Sequence, residues 1–119
     1  MRKLVVTLSA IAAVSAANEP ALAMVAVLQG LDKVTARVST IEAPIDQPVH
    51  FGTLTITART CQKKPPEEPP ESAAFLEIDE ARPGEPVTRV FTGWMFASSP
   101  ALNALQDPVY DVWVKDCKP

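Results

Sequence analysis

Ser98 and Ser99, in the tripeptide "SSP", are the residues of this chain whose type and setting first suggest chemistry. A serine at the start of a helix lies among free backbone N–H groups, and it becomes a nucleophile when a base stands within hydrogen-bond reach. His50 is the one histidine of the chain, and it sits just before Phe51 where an alternating strand begins. Neither G-x-S-x-G nor S-x-x-K occurs to support a hydrolase. The pattern therefore favours a helix cap at one serine and a strand-margin position for His50, with no catalytic residue. Metal chemistry has less to work with. One histidine and two cysteines make no zinc set, and the acidic residues Glu67, Glu68 and Glu71 lack the spacing and glycine of a calcium loop. Glu77, Asp79, Asp107 and Asp111 could supply a carboxylate pair for glycoside hydrolysis, but nothing in their spacing selects two of them. No cofactor or metal is expected.

The stretch "GWMFASSPALNALQDPVYDVWVKDC", residues 93–117, holds both tryptophans, the only tyrosine and one of the two cysteines. Cys61 and Cys117 lack the C-x-x-C spacing of a redox motif, and in an exported chain such a pair is read as a disulfide. By strict alternation Cys61 shares the Thr55, Thr57 and Arg59 face of its strand. Cys117 shares the Trp113 and Lys115 face of its own. If those strands are neighbours, a bridge on that outer face sets Trp113 beside Arg59. Trp94 and Phe96 are expected to fill the core. Trp113, with Tyr110 or Trp94 and Arg59, is the candidate binding surface.

The elements that would position these residues are strands. Val34, Ala36 and Val38 alternate with polar neighbours; so do Gly52, Leu54, Ile56 and Ala58, then Ala74, Leu76 and Ile78, then Tyr110, Val112 and Val114. Period two marks a strand with one face on a core and one in water. Val87–Ala97 is apolar at both parities, as expected of a strand covered on both sides. "EAPIDQP" (42–48), "RPGEP" (82–86) and "DP" (107–108) interrupt strands because proline lacks the ladder N–H. "KKPPEEPPES" (63–72) is a loop stiffened by four prolines. One short helix is expected, capped by Ser98 or Ser99, with Pro100 in its first turn, Leu102 and Leu105 on one face, and its end before Pro108. The fold class is mostly β: a small antiparallel sandwich or partly open barrel with one short helix.

Arg2 and Lys3, the 14-residue apolar run "LVVTLSAIAAVSAA" and the small residues of "ALA" read as a secretory signal peptide over residues 1–23. The run is shorter than the roughly 20 residues of a spanning helix, and no cysteine follows it to carry a lipid. Residues 24–119 then form a single β domain of 96 residues, with nine basic and thirteen acidic side chains and a formal charge of −4. An acidic domain lacks the basic patch that displaces counterions from phosphates, so no nucleic-acid partner is expected. A domain of this size hides only about 60–65% of its unfolded surface, so a covalent staple carries weight.

At "FGTLTITARTC", "PPEEPPESAAFLEI" and the closing aromatic stretch, from Val25 to Cys117, the chain resembles a family of small exported alphaproteobacterial proteins known as domain-of-unknown-function family 2155. The resemblance implies a periplasmic protein and carries no site residue over. Together these features point to an exported, non-enzymatic binding domain that contacts another envelope protein, with no transmembrane span after signal cleavage. The alternatives are a small envelope hydrolase using Ser98 or Ser99, a carbohydrate-binding module, and a periplasmic accessory subunit of an inner-membrane complex.

Overall fold

The first strand, Val25–Asp32 (β1), turns back through Lys33–Ala36 into Arg37–Pro44 (β2). The turn is set by Asp32, whose carboxylate accepts the N–H groups of Val34 (2.9 Å) and Thr35 (3.2 Å), the local bond that makes aspartate a turn residue. A computed structural model describes residues 24–100 and 103–119; the expected signal peptide, residues 1–23, lies outside them. Val49–Phe51 (β3), Leu54–Lys63 (β4), Ser72–Glu80 (β5), Thr88–Phe96 (β6), Leu105–Gln106 (β7) and Tyr110–Lys118 (β8) complete the chain. Every pairing is antiparallel. The order is β2-β1-β8-β7 in one sheet and β3-β4-β5-β6 in the other, so the structure is an open sandwich and not a closed barrel.

Alternation explains the core. Ala26 and Leu28 of β1, Ile41 and Ala43 of β2, and Val112 and Val114 of β8 face Leu54, Ile56 and Ala58 of β4 and Ala74, Leu76 and Ile78 of β5. All are buried. At one end Phe51 and Tyr110 close the gap between the sheets edge to face, with ring centroids 5.2 Å apart. Gly52 allows this: its φ is +58°, and a Cβ there would collide with the Tyr110 ring. At the same end Arg82 reaches the buried carboxylates of Glu80 (3.0 Å) and Asp107 (3.6 Å), linking the two sheets.

Two bulges decide where the cysteines point. β4 gains one residue against β5 between Ala58 and Thr60, and β8 gains one against β1 between Val114 and Asp116. Arg59 and Lys115 are the extra residues, and both are exposed. Each bulge reverses the parity of the residues beyond it, so Cys61 and Cys117 turn inward and are buried. They are bonded to each other, with Cα atoms 5.7 Å apart. The bridge expected from the sequence is present, but its setting differs. It joins β4 of one sheet to β8 of the other through the interior, and Trp113 does not lie beside Arg59.

Three other expectations are corrected. Val34 and Val38 carry no core; Val34 lies in the turn, both are exposed, and the inward positions of β2 are Ile41 and Ala43. β6 is an edge strand, not one covered on both sides. Among the described residues no helix follows Ser98: Leu105 is in β7, opposite Val112. Asp107 accepts the N–H groups of Val109 (3.0 Å) and Tyr110 (3.4 Å) around Pro108, and this turn folds the preceding residues back against β8. Leu102 lies outside the described residues.

Candidate functional site

The outer face of the second sheet divides along the strands into a charged half and an aromatic half. In the charged half Arg59 reaches Asp46 (3.1 Å) and Glu77 (3.3 Å), and Arg89 reaches Asp79 (2.7 Å) and the same Glu77 (3.3 Å). The hydrogen bond from Arg89 holds the Asp79 carboxyl below the usual carboxylate range. Arg59, expected at a binding surface, is exposed but committed to this ladder.

Beyond the β4 bulge the face changes character. Thr60, Phe75 and Trp94 form one row across β4, β5 and β6, and Gln62, Ala73 and Phe96 form the next. Phe75 and Trp94 pack edge to face with centroids 5.6 Å apart. Trp94 is 37% exposed and Phe96 36%, so both lie outside the core that the sequence suggested for them. The reason is parity: Met95 between them takes the inward position and is 1% exposed. Trp113 lies on the outer face of the other sheet, opposite Gln29, and is half-buried. Tyr110 packs against Phe51 and the core. The four residues of the expected surface are therefore not brought together, and Trp94 alone joins the aromatic half. Phe75 and Phe96 belong with it. Their position was readable in one respect, since Phe75 alternates with the core residues Ala74 and Leu76.

The aromatic half ends at the proline loop, residues 64–71. The loop is closed by bonds from the Lys64 N–H to the Glu71 carbonyl (3.0 Å) and from the Glu68 N–H to the Pro65 carbonyl (3.1 Å). The N–H and hydroxyl of Ser98 both donate to the Glu71 carboxylate, as does the N–H of Ser72 (3.0 Å). The Ser98 bonds hold that carboxyl below its ordinary range. Asp116 is likewise held low, first by Lys63 at 3.0 Å; it also accepts from Ser72 Oγ (3.2 Å) and the Cys117 N–H (2.8 Å). Between this strap and the ends of β6 and β8 runs a groove of about 570 Å³. A smaller one of about 310 Å³ shares Lys63, Lys64, Pro65 and Glu71 with it and reaches Ala73 and Phe96.

Ser98 thus has a carboxylate for a partner, and one whose lowered pKa makes it a poor base. Ser99 donates its N–H to the Phe96 carbonyl at 3.2 Å. His50 is hydrogen-bonded to Thr55 at 3.2 Å, on a row that continues through Asp79 to Arg89. Six strand positions on β5 separate that row from Ala73 opposite Phe96, about 20 Å at 3.3 Å per residue. The structure does not bring His50 to either serine. Glu77 and Asp79 lie two residues apart on the outer face of β5 but are both tied to Arg89, while Asp107 is reached by Arg82 and Asp111 by Lys33.

Residues 26–117, which take in the strap, the aromatic rows and both cysteines, match the model of a bacterial family described as "Uncharacterized protein conserved in bacteria". The chain belongs to the DUF2155 family. A relative from Rickettsia prowazekii (strain Madrid E), described as "Uncharacterized protein RP359", is 30% identical over 87 residues. That match covers 73% of this chain and 56% of the relative, so the DUF2155 chain spans little more than half the relative's length. No solved structure matches it.

Proposed function

We propose that this DUF2155 chain is an exported, non-enzymatic binding domain that docks another envelope protein through the aromatic half of its second sheet. The observation that carries the reading is the exposure of Trp94 and Phe96 side by side on an edge strand. Large aromatic side chains are costly to leave in water and are enriched at the buried centres of protein interfaces. An edge strand adds unpaired backbone N–H and C=O groups beside them, which a partner's extended segment can meet. A disulfide through the interior suits an oxidising compartment such as the periplasm, in keeping with the leader sequence. Phe75 and Trp94 meet at 76°, presenting an edge and a face rather than a coplanar platform for a sugar ring, and this favours a protein partner over a carbohydrate.

The test is affinity capture from solubilised envelopes with wild-type protein, with Trp94→Ser/Phe96→Ser, and with Ser98→Ala and His50→Ala. A partner retained by the wild type and both single variants, and lost with the aromatic pair, is the expected result. Capture indifferent to the aromatic pair would overturn the reading. A cellular role lost with Ser98→Ala or His50→Ala in folded, abundant protein would return the argument to a hydrolase.

A further inference from the structure

We propose that the open edge of β6 from Thr92 to Phe96 accepts an added strand, supplied by an extended segment of the partner with apolar side chains at alternate positions. The proposal rests on the protein-docking reading and deepens it by naming the conformation and side-chain pattern of the segment that docks.

The ladder between β5 and β6 fixes which backbone groups face the open side. Ala97 donates its N–H to the Ser72 carbonyl at 2.8 Å, so its backbone faces β5. In an antiparallel ladder this direction alternates residue by residue, and the register from Thr92 to Phe96 runs without a shift. Met95 and Gly93 therefore also turn their N–H and C=O to β5, while Thr92, Trp94 and Phe96 turn theirs outward. One of these outward groups is engaged: the Phe96 carbonyl accepts the Ser99 N–H at 3.2 Å. Among the described residues the outward groups of Thr92 and Trp94 meet no partner. Trp94 and Phe96 thus present two things at one place, an exposed aromatic side chain on the sheet face and a free backbone donor at its edge. A helix satisfies its own N–H and C=O groups, so only an extended segment can use both.

The other edges of the sandwich are blunted. β3 has three residues and β7 two, too short to template a strand. β2 is long, but it carries Arg37, Glu42 and Pro44, and charges and prolines are the devices that keep an edge from pairing. The first part of β6 is protected in the same way, by Arg89 and by the extra residue Val90 that breaks the register there. From Thr92 to Phe96 no charge, proline or bulge intervenes. This open stretch spans about 16 Å at about 3.3 Å per residue, the length of an ordinary short strand. Side chains of an added strand alternate between the two faces, so every second one lies beside Trp94 and Phe96 on the outer face. Phe75 packs behind Trp94 at 5.6 Å, edge to face, and holds that ring in place. Apolar side chains at those alternate positions cover the two exposed rings.

The experiment uses the purified, oxidised protein and three capped peptide probes, read by amide shifts in nitrogen-15 spectra up to millimolar peptide. The first alternates valine and threonine between terminal lysines; the second is the same peptide N-methylated at every valine and threonine; the third has serine in place of valine. The first is expected to bind saturably, with shifts centred on Thr92, Trp94 and Phe96. N-methylation keeps the side chains and removes the backbone donors, and it should weaken binding at least fivefold. Serine for valine should weaken it at least threefold. On the protein side Thr92→Pro removes an outward N–H and no bond to β5, so the fold is kept, as near-ultraviolet circular dichroism checks. It should weaken the first probe at least fivefold, and Thr92→Ser less than twofold. No saturable binding, equal binding of the N-methylated probe, or shifts centred elsewhere would overturn the proposal. Envelope capture with Thr92→Pro separates the two readings. If capture needs Trp94 and Phe96 but ignores Thr92→Pro, and the first probe does not bind, aromatic docking stands and strand addition falls; if the probe pairs with β6 while capture ignores the aromatic pair, strand addition stands and aromatic docking falls.

Discussion

Reducing the Cys61–Cys117 bridge should cost this domain a large part of its stability. The bond spans 56 positions in sequence, so in the chain-entropy view it removes about 4 kcal/mol of freedom from the unfolded state. It joins opposite sheets, and both sulfurs are buried, so no rearrangement of one sheet alone can compensate. A domain of this length is stable by about 5–14 kcal/mol, and at about 4–8 °C for each kcal/mol the loss should lower the thermal midpoint by about 16 °C or more. The assay is thermal unfolding by circular dichroism with and without reductant, each sample alkylated under unfolding conditions to count thiols. The oxidised sample should label at no cysteine and the reduced one at two. A midpoint shift below about 5 °C would refute the entropic argument, and two thiols labelled without reductant would refute the bridge itself.

Gly52→Ala should destabilise the fold by at least about 1 kcal/mol in urea titration, because its φ of +58° disfavours a Cβ and the Tyr110 ring occupies the space. Leu76→Ala, at a fully buried position, should cost about 2–5 kcal/mol in the same assay, against about 1 kcal/mol or less for Trp94→Ser on the outer face. Asp79 and Asp116 have folded pKa values below the ordinary carboxylate value of about 3.9, so the native state binds fewer protons than the unfolded one. The stability they add is complete above about pH 4 and is lost as pH falls through the folded values. Asp116→Asn should therefore flatten the fall in thermal midpoint on acidification; an unchanged slope would remove Asp116 from that account.

Much of the sandwich was legible because its cause is local. Leu54–Ala58, Ala74–Ile78 and Val112–Val114 alternate so regularly that their inward faces follow from period two. β1 is hard to read in the sequence because its alternation, Ala26 and Leu28 inward, lies in a mostly apolar stretch shortly after the apolar run of residues 4–17. β7 is masked because two leucines three apart fit a helix face, and two residues of strand show no period of their own.

Residue type and spacing along the chain were enough for the fold class, the inward faces of the regular strands and the pairing of the only two cysteines. Which strands share a sheet is a property of the folded chain, and from it comes the path of the disulfide across the core instead of along a face. The same assembly turns Trp94 and Phe96 outward, separates Trp113 from Arg59, and shapes the proline strap into a groove with Lys64 and Lys115. For the two cysteines the cause lies in the bulges. One extra residue in β4 and one in β8 reverse the parity of everything beyond them, and a bulge is specified by the strand that pairs across it, not by the residues it displaces.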